Sequence, residues 1–226
     1  MGRSALGLIA VAGFVAGPGL AWLRLVPALA GFAVFALSGL LAAAVGVASL
    51  VQAARGRGLT AGGGLALLVA AALVTVAARG AGLPRINDFT TDPADPPAFH
   101  AAAGLPANAG RDMTYPAAFA AQQRRCCPDL APVELPAGVD AFARARRAAE
   151  SMPAWTVIDA DRAAGRIEAV ATTRLFGFHD DVVIRVRPLP DGRSRVDVRS
   201  KSRDGKGDLG TNAARIRAYV AALAAG

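Results

Sequence analysis

The densest set of groups able to do chemistry lies near the C-terminus, in Arg199-Ser200-Lys201-Ser202-Arg203-Asp204-Gly205-Lys206-Gly207-Asp208-Leu209-Gly210-Thr211-Asn212, followed by Arg215 and Ile216. Read physically, this is a strand end, a glycine-rich loop and a helix start. Free backbone N–H groups at a helix N-terminus, with Arg and Lys beside them, can hold an anion such as phosphate or carboxylate. On that chemistry the candidate ligand-binding residues are Arg199, Ser200, Lys201, Ser202, Arg203, Asp208, Asn212 and Arg215. The plainer alternative gives Gly205, Gly207 and Gly210 to the turn and Asp208 to capping the helix. In it, Asn212 and Arg215 only tie that helix to a sheet.

Other reactive groups are few. The chain has two histidines, His100 and His179. His179-Asp180-Asp181 places three potential metal ligands together, but adjacent strand residues point to opposite faces and cannot close on one ion. No metal site is expected. Asp180, Asp181 and Asp208 beside the Arg cluster are material for acid–base work on a glycan or phospholipid head group, without a recognisable partner geometry. Cys126 and Cys127 are adjacent. A vicinal disulfide closes a strained ring, and an oxidising compartment would permit it. A pair of small, partly buried side chains is the simpler reading. There is no G-x-S-x-G elbow, H-E-x-x-H, C-x-x-C, P-loop or dinucleotide fingerprint after a strand. Hence no catalytic constellation and no cofactor are expected.

These groups must be positioned by residues 111–226, which read as a soluble α+β domain. Val139, Phe142, Ala145 and Ala149 fall at helical spacing within 138–150. Strand-like alternation follows, first with Trp155 and Val157, then with Ile167, Ala169, Ala171, Thr173 and Leu175. Val182, Ile184 and Val186 form a third run, and Pro190-Asp191-Gly192 supplies a hairpin turn. In a fourth, Val196, Val198, Ser200 and Ser202 face inward, while Arg195, Asp197, Arg199, Lys201 and Arg203 face outward. A last helix spans about 209–223, with Asp208 as its N-cap. Sheets with one apolar face need a cover. The expected fold is therefore two layers, about four antiparallel strands flanked by two helices. A short strand at 132–135 and a short helix at 115–125 precede them.

The first eighty residues differ in kind. Residues 1–80 hold five Arg and no acid, so +5 of the net +8 lies there and only +3 in the rest. Uncharged stretches run over 4–23, 25–54 and 58–78. A membrane crossing needs about 20 apolar residues, so residues 1–80 form an anchor of two or three transmembrane helices, with lipid around 4–78. Gly17-Pro18-Gly19 should break or kink the first. Arg55-Gly56-Arg57, between the last two, argues for a cytoplasmic loop and an extracytoplasmic domain. Residues 81–110 form a Pro-rich linker, either a stiff spacer or a strip docked through Ile86, Phe89 and Phe99.

Several stretches together carry a resemblance. They are PRINDFTTDPADPPAF (84–99), Tyr115-Pro116, Gln122-Gln123 with Pro128-Asp129, GRIEA (165–169), FGFHDDVVIRV (176–186), VDVRSKSR (196–203) and DLGTNAARIR (208–217). The chain resembles the bacterial and plastid family called domain of unknown function 1499. That resemblance implies a membrane-anchored or exported protein, favours docking of the 84–99 strip, and implies no activity.

The expectation is thus a multi-pass protein of the bacterial inner membrane whose periplasmic domain is a binding or scaffold module. Its ligand, an anion or an envelope protein, would meet the basic outer sheet face or the Gly-rich junction. On this view, charge reversal of Arg199 and Arg203 would leave folding intact. An envelope hydrolase using Asp and Arg is the alternative. Nucleic acid is not expected as a partner, because the domain is only +3 and its basic face lacks interleaved aromatics.

Overall fold

A computed structural model describes residues 2–225. The chain divides into two compact units, one running to Ala81 and including Arg174–Gly177, the other comprising Gly82–Thr173 and the residues from Phe178 onward. The first unit holds α1 (Arg3–Trp22), α2 (Ala28–Ala54) and α3 (Ala61–Gly80). Three helices long and apolar enough to cross a membrane make this a membrane protein. Of the expected break or kink at Gly17-Pro18-Gly19, the break does not occur, and α1 runs on through Pro18. An apolar span offers no alternative partner for a freed backbone group, so the helix persists around a proline. Small residues set the packing. A Cβ on Gly7 would fall 2.2 Å from the Gly62 carbonyl oxygen, and one on Gly62 would fall 2.1 Å from that of Ser4. Backbones this close require glycine at the contact.

The second unit is α+β. Strands β3 (Trp155–Asp161), β4 (Arg166–Thr172), β5 (His179–Pro188) and β6 (Ser194–Ser202) form an antiparallel meander. Two three-residue strands, β1 (Asp88–Thr90) and β2 (Val133–Leu135), lie end to end along the outer edge of β6; β2 is the short strand expected at 132–135, and β1 adds one beyond it. Three residues among Asp and Pro carry too little alternation to mark β1.

Helix α5 (Ala141–Ser151) begins where the Asp140 side chain accepts the Ala143 N–H at 3.0 Å. Val139 lies outside it and is exposed, and Leu175 lies beyond the end of β4 and is likewise exposed. Helix α6 (Thr211–Ala225) joins α5 on one face of the sheet. Between helices and sheet lies the core of Phe142, Ala145, Ile167, Val182, Ile184, Val196, Ile216 and Tyr219, all buried. Trp155 stacks on Tyr219 at 5.6 Å.

The opposite face of the sheet is not open. Residues 91–114 run across it as a strap. Phe99 and Ala102 pack on Val183 in a second small core. Ile86, Phe89 and Phe99 are all buried, so the stretch is packed into the domain.

Candidate functional site

Strand alternation splits the eight candidate residues between the two faces of β6. On the helix side, Ser200, Ser202, Asp208, Asn212 and Arg215 join one polar network. The buried Asn212 amide accepts the Ser200 hydroxyl at 2.6 Å and donates to Ser202 Oγ at 2.8 Å and Asp208 Oδ2 at 2.7 Å. Arg215 donates to Ser200 Oγ at 3.0 Å and to the Asp180 carboxylate. Helix α6 starts at Thr211 rather than at about 209, so Asp208 stands three residues ahead of it, yet it takes the N–H groups of Gly210 at 2.9 Å and Asn212 at 2.7 Å. The N-terminus of α6 is thus answered by the chain's own carboxylate. Burial raises the Asp180 carboxyl above its ordinary range, outweighing the pull of Arg215.

On the strap side, Arg199 is 2% exposed. Its guanidinium grips Asp88 with two bonds of 2.9 and 2.8 Å and donates to the carbonyls of Pro97 at 3.0 Å and Met113 at 2.9 Å. The Phe99 and Tyr115 rings lie over it at 4.7 and 5.5 Å. Lys201 reaches the same Asp88 carboxylate at 3.1 Å. Arg203 binds Asp181 at 2.6 Å, and Asp181 also accepts the Asn108 amide at 2.9 Å. Further along, the fully buried Asp197 collects Arg185, Arg187 and Arg195 at 3.1, 3.0 and 2.9 Å.

The outward-facing basic surface inferred from alternation is therefore an internal layer of ion pairs beneath the strap. Alternation sorts side chains by face. It does not say whether a loop covers the face. The expectation that Arg199 can be reversed without loss of folding is corrected for the same reason.

Two residues central to this layer escaped sequence reasoning. Asp88 is the first acid in the chain, and it answers two cations. Glu168, wholly buried, accepts the N–H groups of His100, Ala101 and Ala102 at 2.8, 3.1 and 2.8 Å. A lone acid amid the apolar residues of Ile167-Glu168-Ala169 was the available signal, since a buried carboxylate needs partners.

The family described as protein of unknown function, DUF1499, matches residues 88–223. The chain belongs to this family. No curated protein and no solved structure matches it. The DUF1499 match opens at Asp88 and closes within α6, so it covers the strap, the sheet and both helices.

Of the candidate stretch in this DUF1499 domain, the loop of residues 203–210 stays the most open. Asp204, Gly205, Lys206 and Gly207 are exposed, and Leu209 is 67% exposed. Leu209 also has φ +52. The loop is braced from below, with the Asn87 amide donating to the Gly205 carbonyl at 2.6 Å and the Asp208 N–H to that of Ile86 at 3.3 Å.

Proposed function

We propose that this protein is a membrane-tethered binding or scaffold module of the bacterial cell envelope, anchored in the inner membrane, with its domain on the extracytoplasmic side. With three crossings, Arg3 and the Arg55-Gly56-Arg57 loop share one side, and the retention of short positive segments in the cytoplasm supports that side being the cytoplasmic one. Arg24, Arg79 and Arg85 fall on the other side, and the sidedness reading rests on the paired charge of the α2–α3 loop. Nucleic acid is then out of reach.

The contact surface we assign is the loop of residues 203–210. One observation carries this reading, the state of Leu209. A non-glycine residue in the left-handed region costs about 1–2 kcal/mol. Leaving a leucine side chain in water forgoes roughly 1.5–3 kcal/mol of burial. Glycine stands one residue after it and two before it, so a loop serving only to turn would do better with glycine at 209 as well. Strain and exposure combined on one apolar side chain point to a role in contact. The partner would offer an apolar pocket for Leu209 and an acidic group for Lys206, which fits an envelope protein or another anionic ligand.

The alternative, an envelope hydrolase using Asp180, Asp181 and Asp208, has less support. Arg215 takes the first, Arg203 and Asn108 take the second, and backbone N–H groups take the third.

A photo-activatable residue at position 206 or 209, in cells, tests the assignment. One discrete cross-linked species, at least tenfold reduced by Leu209→Ser introduced beside the probe at 206, is the expected result. Equal labelling from the probe at 206 with and without that substitution would remove the loop as a contact surface.

A further inference from the structure

The pair Cys126–Cys127 lies outside the loop just described. We propose that it is a binding site for a trivalent arsenic or antimony centre, a soft pyramidal atom that takes two sulfurs on one side. Adjacent side chains on a helix do not face each other. Here Cys126 is the last residue of α4 (Ala117–Cys126), and Cys127 leaves the helix with φ −141 and ψ 57. That turn brings the two sulfurs to 2.7 Å from each other.

Both residues are held from behind. The Cys127 N–H donates to the Gln123 carbonyl at 2.8 Å, and the Cys126 thiol points at the same oxygen at 3.5 Å. Gln123 is buried and fixed by its own amide, which accepts the Thr90 N–H at 3.0 Å and donates to the Thr90 carbonyl at 2.6 Å. The thiols are therefore organised before any ligand arrives. Cys126 is partly exposed and gives access, while Cys127 is buried. The Arg217 guanidinium, paired with Asp129 at 2.8 Å, lies beside Cys127.

Two sulfurs without further ligands select the guest. Thiolates favour soft centres. A structural zinc needs four tetrahedral ligands, and among the described residues no group of three His, Cys, Asp or Glu could hold a metal ion. A linear two-coordinate ion needs its sulfurs on opposite sides, which neighbours in sequence cannot give. A pyramidal metalloid takes both on one side and keeps its third bond to a hydroxide or an organic group. For an organic arsenical the step is R–As(OH)2 plus two Cys–SH giving R–As(S–Cys)2 plus two water molecules. Two As–O and two S–H bonds break and two As–S bonds form. Each proton leaves with a hydroxide, and no electrons move.

The test uses the full-length protein in detergent, incubated with phenylarsine oxide and excess monothiol, then weighed intact. The expected result is one phenylarsenic group per folded chain, released by a dithiol reagent and not by the monothiol. Cys126→Ser and Cys127→Ser should each abolish the adduct with the near-ultraviolet circular dichroism of the domain unchanged. The proposal is overturned if the adduct forms only after denaturation, if either single variant keeps it, or if the pair is recovered as a disulfide, lighter by two hydrogen atoms.

Discussion

Replacing Arg199 by Ala should unseat the strap and cost the domain about 4 kcal/mol. The substitution removes two bonds to Asp88 and the donors to the Pro97 and Met113 carbonyls, all in a layer where Arg199 and Asp88 are 2% and 0% exposed. Breaking a buried ion pair by deleting one partner costs about 3–5 kcal/mol, because the remaining charge stays buried. Lys201 still reaches Asp88 at 3.1 Å and moderates that loss. The two orphaned carbonyls add to it, each hydrogen bond to a charged group contributing about 1.5–3 kcal/mol, without simple additivity.

In a domain of this size each kcal/mol moves the melting temperature by roughly 2–4 °C, so a fall of about 8–16 °C is expected. The assay is thermal unfolding of the full chain in detergent, read by near-ultraviolet circular dichroism from Trp155 stacked on Tyr219. A change within the ±0.5 kcal/mol typical of surface sites would refute the reading of this face as a buried, strap-covered layer. The double variant with Asp88→Ala should lose less than the two single losses combined, since the uncompensated charge is gone.

Glu168→Ala strips the acceptor from three strap N–H groups, and limited proteolysis within residues 91–114 should quicken at least tenfold; unchanged cleavage would show that the strap is held elsewhere. Gly165 has φ +62, and a Cβ there would meet the Val186 carbonyl oxygen at 2.2 Å. Gly165→Ala should therefore destabilise the β3–β4 hairpin by more than the roughly 1 kcal/mol that a compatible Gly-to-Ala change could return, and denaturant titration reads this directly. Asp180 tests pH dependence. Its folded carboxyl is raised by burial above the ordinary 3.8. Its contribution is thus full below that value and lost as pH rises through the folded one. Paired denaturant titrations should show Asp180→Asn gaining on the wild type between acid and neutral pH. A gap that does not change with pH would contradict the burial argument.

The alternation in 182–186 and 196–202 was strong enough to give both strands their faces, and the apolar spacing around Phe142 and Ala145 located α5. The second and third spans were legible from length and charge alone, while Gly17-Pro18-Gly19 left the first one open. What escaped was long-range. Nothing local in Asp88 says that it will meet Arg199 and Lys201 more than a hundred residues later, and β1 is too short to alternate. The strap is a Pro- and Asp-rich segment whose fit depends on surface it does not itself encode. At the Gly-rich junction the sequence offered an anion site or a turn tied to the sheet. The observed bonds of Asp208, Asn212 and Arg215 are those of the tie, and the exposed remainder of the loop keeps the binding reading alive through Leu209 and Lys206.

Sidedness is the most direct test of the account as a whole. Paired reporters fused after residue 226, one active only outside the cytoplasm and one only inside, should give an outside signal. That places the loop of residues 203–210 among envelope partners. An inside signal would contradict the envelope assignment and the weight given to Arg55 and Arg57, and would return cytoplasmic partners to consideration.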